Sequence, residues 1–407
     1  MGKEAGWKRW EKKGDPHKIN RIQWGPEELE YIQRVFNEDW FGYGSCHKEL
    51  EQRLSSFTGI PRFNLTNSGS TALTTAVKTL FHRGTLKRGD FILHPITTFP
   101  TSISCAIDYG LVPVFIETKR GTYVCDEEQV DRAIREHPEI KGMILPHLLG
   151  NIPNMDKIIG SLGARVLIED CCDTLSGYFD GQHVGTFGDF MALSFYGSHH
   201  ITAGGVGGAV GTKSEINSQI ARSIIFWGHD YDTHTGGSAK KDFLARYDCQ
   251  TIGSDFQMSA IQASFALAQM NRLAEFIKKR EIQFTEMRDL FGHSDFFELP
   301  TSDPLSSPSW FCYPLTVKEN APFKRDELVA YLTENQVETR PIMCGNILRQ
   351  KPFRLIERVT LDNEQFPIGD EIQRAGLFLP CWGMPDEQKE DYYRILKDFL
   401  HSKKYIA

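Results

Sequence analysis

The chain has 407 residues, 40% hydrophobic and 24% charged, with a formal net charge of −7. That length exceeds what one hydrophobic core usually fills, so two domains are expected, in a composition typical of soluble globular proteins. There is no Lys/Arg-rich arm, no run near the roughly 18 apolar residues of a spanning helix, and no signal-peptide core in the polar N-terminus, so neither nucleic acid nor a membrane is expected as a partner, and a cytoplasmic location is.

From about residue 64 to 212, short apolar runs alternate with helical lengths. Phe91-Ile92-Leu93, Val112-Pro113-Val114-Phe115-Ile116, Met143-Ile144-Leu145, Val166-Leu167-Ile168, Phe190-Met191-Ala192-Leu193 and Ala209-Val210 are each bounded by turn residues. Continuous apolar strands spaced by helices predict a mainly parallel sheet buried on both faces. Residues 256–290 lack Gly and Pro and predict long helices. Beyond the Pro/Ser-rich stretch 300–309 the pattern changes to a strand over 311–317, a helix over 325–334 and a terminal helix over 387–401. The chain reads as α/β, with an N-terminal arm and large domain over residues 1–295 and a smaller α+β domain over 296–407.

Residues able to carry chemistry fall at the ends of these elements. Thr66-Asn67-Ser68-Gly69-Ser70-Thr71 sets small polar residues before an apolar helix. The free N–H groups of such a terminus suit a phosphate, and Gly69 permits close approach; a plain N-cap has the same look. Phe99 follows the first of the strands above, where its ring has room to stack on a planar ligand. Asp170 closes the strand at 165–169, on the edge where open α/β sheets bind ligands. A helix-capping role for Glu169 or Asp170 competes with that reading. Ser194 closes another strand. His199 stands five residues on, an imidazole able to exchange a proton near neutral pH. Singly each is unspecific, since strand-end Ser, Phe and His also serve packing. The weight lies in the ordered set: phosphate loop, aromatic, strand-end aspartate, strand-end serine, histidine.

Cysteines stand at 46, 105, 125, 171, 172, 249, 312, 344 and 381, with no CxxC pair. They read as reduced thiols filling small apolar volumes.

The set extends through Leu86-Lys87-Arg88-Gly89-Asp90, Leu149-Gly150-Asn151, Glu169-Asp170-Cys171-Cys172-Asp173, Gly185-Thr186-Phe187-Gly188, Ser194-Phe195-Tyr196, His199-His200-Ile201, Ser309-Trp310-Phe311 and Arg340-Pro341-Ile342 with Gly345-Asn346. In these pieces, over nearly its whole length, the chain resembles the DegT/DnrJ/EryC1/StrS sugar aminotransferase/dehydratase family of fold-type I pyridoxal-phosphate enzymes. Within it, the chain looks most like the NDP-4-keto-6-deoxyhexose 3-dehydratases, where histidine replaces the lysine that anchors the cofactor as a Schiff base. The resemblance implies an aspartate-aminotransferase fold and a homodimer with active sites at the subunit interface. It also implies pyridoxal or pyridoxamine phosphate held non-covalently. His199 is then the base, Asp170 meets the pyridine nitrogen, Phe99 stacks, and Gly69, Ser70 and Ser194 hold the phosphate, with Asp173 and Asp255 also at the cofactor. Trp310, Phe311, Arg340, Asn346 and Arg349 are the expected substrate contacts, arginine suiting a pyrophosphate; Trp310 and Phe311 are equally compatible with a core. The implied reaction uses L-glutamate to form pyridoxamine phosphate and removes the C3 hydroxyl of a nucleotide-linked 4-keto sugar.

One design within the dehydratase branch adds a [2Fe-2S] cluster. Cys172 stands where the first ligand would be, but His229-Asp230-Tyr231-Asp232-Thr233-His234 brings no cysteine before Cys249. No iron–sulfur cluster and no metal are therefore expected, and the chain looks like the glutamate-dependent type. Two departures stand out. Gly253-Ser254-Asp255-Phe256-Gln257 replaces a Gly-Tyr-Asn-x-Arg motif, putting a carboxylate where the family has an asparagine. The loop Ala203-Gly204-Gly205-Val206-Gly207-Gly208 is one residue longer than usual and lacks the customary glutamate. Both leave room for a pyridoxamine-phosphate enzyme acting on something other than an NDP-hexose; a non-catalytic relative, in which His199 simply marks loss of the lysine, is the other alternative.

Overall fold

The computed structural model describes residues 17–229, 247–361 and 365–402. The polar N-terminal stretch and residues 230–234 of the cysteine-free segment lie outside them.

In chain order the strands are β1 (Arg62–Thr66), β2 (Phe91–Pro95), β3 (Val112–Ile116), β4 (Gly142–Pro146), β5 (Val166–Asp170), β6 (Tyr178–Phe179) and β7 (Gln182–His183). They continue with β8 (Phe190–Ser194), β9 (Gly208–Thr212), β10 (Phe297–Glu298), β11 (Ser306–Ser307), β12 (Tyr313–Val317), β13 (Val359–Thr360) and β14 (Gly376–Leu379). Eight of them form one sheet in the order β1-β9-β8-β5-β4-β2-β3-β13. Only β9 runs against the rest, pairing antiparallel with both β8 and β1. A helix lies between β2 and β3 and between β4 and β5, the length of connection that parallel neighbours need, while residues 171–189 with β6 and β7 carry the chain from β5 to β8 and the loop 195–207 turns it back from β8 into β9. β3, β4, β5 and β9 are buried along their whole length, as their continuous apolar runs predict.

The expected helical stretch at 256–290 is a single helix, Ala260–Phe291, capped by Ser259, whose side chain accepts from the Gln262 N–H. Its first half packs Ala263, Leu267 and Leu273 into the core under the large sheet. Its last turns send Phe284, Met287 and Phe291 into a second core with Tyr313, Leu315, Leu377 and Trp382. That second core lies on the sheet β10-β12-β14 and the helices Arg325–Glu334 and Asp386–Ser402. One rigid rod therefore joins both cores, and the residues around 199 lie close to where they meet.

No helix among the described residues is long and apolar enough to cross a membrane. Six of the nine cysteines are buried, Cys172 and Cys344 are partly so, and Cys249 is exposed; for Cys249 the space-filling expectation is wrong, because the segment carrying it runs on the surface.

Candidate active site

Asp170 and Ser194 are the last residues of β5 and β8, adjacent parallel strands in which Asp170 lies opposite Ala192. The loop after β2 brings Phe99 to the same edge as N-cap of the helix Pro100–Asp108. At that edge begins the helix Gly69–His82, whose N-cap Ser68 accepts from the Thr71 N–H. Gly69 is seated so closely that a Cβ there would lie 2.7 Å from both Ser194 Cβ and Cys172 Sγ. Ser70 Oγ donates to Thr101 Oγ1 at 2.9 Å, tying this helix to the Phe99 loop. The phosphate-loop, aspartate, serine and aromatic candidates thus converge.

The two acids of Glu169-Asp170 have opposite tasks because successive strand side chains point to opposite faces. Glu169 is fully buried and accepts from the Gly185, Phe187 and Gly188 N–H groups and His147 Nε2, fastening the 185–188 turn behind the strand. Asp170 faces the site, with Oδ2 accepting from Ser102 Oγ at 2.5 Å and Oδ1 from the Cys172 N–H at 3.2 Å. Neither is a helix cap.

His199 follows β8 in the tight return toward β9. Its Nδ1 is 3.2 Å from the Ser194 carbonyl. A carbonyl only accepts, so Nδ1 carries the hydrogen and Nε2 the lone pair. Nε2 faces Asp173 Oδ1 at 3.5 Å, and the ring stands edge-on to Phe311, centroids 5.4 Å apart. Burial and the nearby Arg280 pull the His199 imidazole down to about 4, against the Ser194 carbonyl, which raises it. Burial pushes the Asp173 carboxyl up to about 7, with the Asp170 charge adding to it and the Leu149 N–H opposing. Near neutral pH the imidazole is thus an uncharged base beside a carboxyl poised to give or take a proton.

Three motif pieces meet around this histidine. Ser309 Oγ lies 2.7 Å from His200 Nε2. The Phe311 N–H donates to the Leu149 carbonyl, and the Ser309 N–H to that of Gly150. Gly150 has φ +90°, and a Cβ there would overlap the Ser309 carbonyl, so close passage of the two segments requires glycine.

The expected substrate residues divide. Phe311 is buried between His199 and Phe378, whereas Trp310 stacks on Phe284 at 4.8 Å in the second core. Arg340 is exposed and bonded to Glu338. Asn346 and Arg349 both bind Asp370. With Leu348, Arg354 and Arg358 they line a cavity of about 440 Å³. Main-chain bonds from Cys344 to Thr98 and from Ile347 to Ile96 join this segment to the approach to Phe99. Asp255 is exposed, accepting from Gln257 Nε2, and the neighbouring Phe256 carbonyl accepts from the Asn67 N–H beside the phosphate loop. In the longer loop, Gly204 and Gly205 take φ of +77° and +134°, and the Gly205 carbonyl accepts from the Gly197 N–H.

Sequence reasoning missed Ser102, Arg280, Arg354 and Arg358. A serine in a short helix and arginines in polar stretches carry no periodic signal; only the fold shows where they point.

These features fit pyridoxal or pyridoxamine phosphate. The helix terminus and serine hydroxyls suit a dianion, the held Asp170 carboxylate suits a protonated ring nitrogen, and the Phe99 ring, 51% exposed at the edge, suits a flat heterocycle. Fold and strand-edge site together define a fold-type I pyridoxal-phosphate framework. The chain belongs to the DegT/DnrJ/EryC1/StrS aminotransferase family, whose model matches residues 23–399. It is 35% identical to the lipopolysaccharide biosynthesis protein RfbH of Salmonella typhimurium, over 81% of this chain and 79% of that one. It is 31% identical to dTDP-4-dehydro-2,6-dideoxy-D-glucose 3-dehydratase of Saccharopolyspora spinosa, over 77% and 71%. Its fold superposes on E. coli GDP-4-keto-6-deoxy-D-mannose-3-dehydratase with bound hydrated PLP with a TM-score of 0.86 at 24% identity, covering 93% of this chain and 99% of that one.

Proposed function

We propose that this chain is a pyridoxal/pyridoxamine-phosphate-dependent 3-dehydratase of a nucleotide-linked 4-keto-6-deoxyhexose, with L-glutamate as amino donor and two copies forming the working enzyme. The observation that carries the reading is His199, an imidazole with its Nε2 lone pair turned into the site where a transaminase needs a lysine. The 3-dehydratase of Saccharopolyspora spinosa among the relatives supports it.

When bound, the cofactor supplies an electron sink for bond cleavage next to its amine-bearing carbon. The chain's own residues then have defined tasks. Gly69, Ser70 and Ser194 hold the phosphate, Asp170 keeps a proton on the ring nitrogen, and Phe99 covers the ring. His199 Nε2 takes a proton and returns it, and Asp173 is the neighbouring proton store. With no lysine anchor, affinity rests on these contacts alone, and no iron–sulfur cluster is part of the proposal. Phe311, Arg340, Asn346 and Arg349 stand as substrate contacts, the arginine-lined cavity receiving the diphosphate. Trp310, half-buried and stacked on Phe284, is kept out of the substrate contacts and assigned to the second core.

The test is the half-reaction: purified protein, pyridoxal phosphate and L-glutamate, with pyridoxamine phosphate and 2-oxoglutarate quantified. Wild type is expected to form both and His199→Asn to be at least about 100-fold slower, the usual contribution of a positioned base. Equal rates in the two proteins would overturn the assignment. With a nucleotide 4-keto sugar added, a product keeping its C3 oxygen and gaining nitrogen at C4 would make the chain a transaminase instead.

A further inference from the structure

Arg280, on the helix Ala260–Phe291, is only 5% exposed. Its Nη1 donates to the Phe311 carbonyl at 2.7 Å and the Cys381 carbonyl at 3.3 Å, and its Nη2 to the His199 carbonyl at 3.3 Å. Its Nε is buried without a partner, and among the described residues no carboxylate pairs with it. A buried guanidinium without a counter-ion is costly, and an apolar residue of similar volume usually suits such a place better. Three main-chain carbonyls are partial compensation. Structural need alone does not call for a charge here.

One of the three carbonyls is that of His199, so the charge sits on the loop that carries the base and acts to keep its imidazole uncharged. The three carbonyls belong to the return loop after β8, the approach to β12 and the segment after β14, so Arg280 pins the His199 main chain to the C-terminal sheet from the helix that spans both cores. We propose that Arg280 is the positioning residue of this site: it fastens the His199 loop to the two C-terminal segments facing it and sets an uncompensated positive charge against formation of a second cation on the imidazole. The inference rests on His199 being the base.

Two cations, Arg21 of the N-terminal segment and Arg280 of the long helix, line one pocket with His199 and His200. Asp173 faces Nε2, with Asp170 behind it. Tyr196 and Phe311 border the ring. Asn20 Nδ2 shares the His199 carbonyl from the N-terminal side. His200, packed beside it, is itself held uncharged by burial and by Arg280. Burial lowers Arg280 to about 10, so it stays charged at neutral pH. Among the described residues Asp173 is the acid in contact with the ring, and burial pushes its carboxyl up to about 7, so in its protonated form it offsets none of that charge. A proton arriving at the pair therefore goes to the carboxyl rather than the imidazole.

Two measurements test this. In the wild-type protein, histidine NMR with the His199 signals identified by their loss in His199→Asn should show His199 uncharged down to about pH 5; a midpoint at or above the ordinary 6.5 overturns the proposal. Arg280→Met and Arg280→Lys are then compared in the glutamate half-reaction across pH. Met, lacking charge and donors, should move the His199 midpoint and the acid limb of the rate up by about one unit. Lys, keeping the charge without the three-way fork, should hold the limb near wild type while lowering kcat. A folded Met variant with an unmoved limb, or a Lys variant whose limb moves like Met, refutes the charge role. If the Met variant does not fold, the wild-type titration and the Lys variant decide. If the half-reaction is absent altogether, the proposed function fails, yet the His199 titrations in wild type and variants still judge Arg280.

Discussion

Gly69→Ala places one methyl group at the tightest point of the site. Its Cβ would lie 2.7 Å from Ser194 Cβ and 2.7 Å from Cys172 Sγ, where ordinary carbon contacts begin near 3.5 Å. Relief requires movements approaching an ångström in two neighbours at once, and one of them belongs to the buried strand β8. The helix cannot retreat either: Gly208 of β9 lies so close behind Ser68 that it too has no room for a Cβ. Overpacking of this kind costs about 1–3 kcal/mol. At about 2 cal/mol/K of unfolding entropy per residue, that is a Tm loss of only about 1–4 °C for a cooperative chain of this size. The larger effect falls on the cofactor, because the displaced atoms are the first turn of Gly69–His82 and the Ser194 side chain. If about half of the strain is carried in the bound state, pyridoxal-phosphate affinity falls about threefold to tenfold, 1.4 kcal/mol being a factor of ten. Fluorescence titration of the cofactor alongside a thermal melt reads both. Adding Cys172→Ala removes one of the two clashes and should recover part of each loss, a coupling that independent sites would not show. Wild-type cofactor affinity and Tm in Gly69→Ala would refute the reasoning, and with it the placement of the phosphate at this terminus.

Two further predictions follow from the same geometry. The Asp173 carboxyl titrates at about 7 in the fold against roughly 3.9 unfolded, so between those values the native state holds a proton that the unfolded chain has released, and this group's contribution falls as pH rises. Asp173→Asn should therefore gain stability relative to wild type from about pH 4 to 7, by at most about 4 kcal/mol; His199, lowered to about 4, has the opposite slope, so denaturant melts of the pair are compared at each pH, and a constant difference would contradict the assignment. Arg349→Ala removes a guanidinium from the cavity but touches neither Asp170 nor His199, so the glutamate half-reaction should keep its rate while KM for a nucleotide 4-keto sugar rises about tenfold; steady-state kinetics check it, and an unchanged KM would remove the cavity from the substrate path.

The sequence by itself determined the sheet, because a strand buried on both faces must be apolar throughout. The runs at 91–93, 112–116, 143–145, 166–168 and 190–193 mark β2, β3, β4, β5 and β8 to within a residue or two. It also marked residues that gather at the sheet's edge: Gly69, Phe99, Asp170 and Ser194 sit at strand or helix ends, with His199 in the loop five residues past β8, and in a parallel sheet those ends share one side. Three things were decided only by the tertiary structure. The opposite tasks of Glu169 and Asp170 came from the strand's pleat meeting a turn sixteen residues away. The state of His199 came from burial and from Arg280, with Asp173 and Phe311 set against its ring, contributions from three separate parts of the chain. The arginine cavity came from the fold bringing Arg354 and Arg358 beside Asn346 and Arg349, the two members that the resemblance already implied as substrate contacts. Local pattern encodes burial and element ends because those depend on neighbours in sequence. The protonation of a buried group depends on which charges the fold carries to it from elsewhere in the chain.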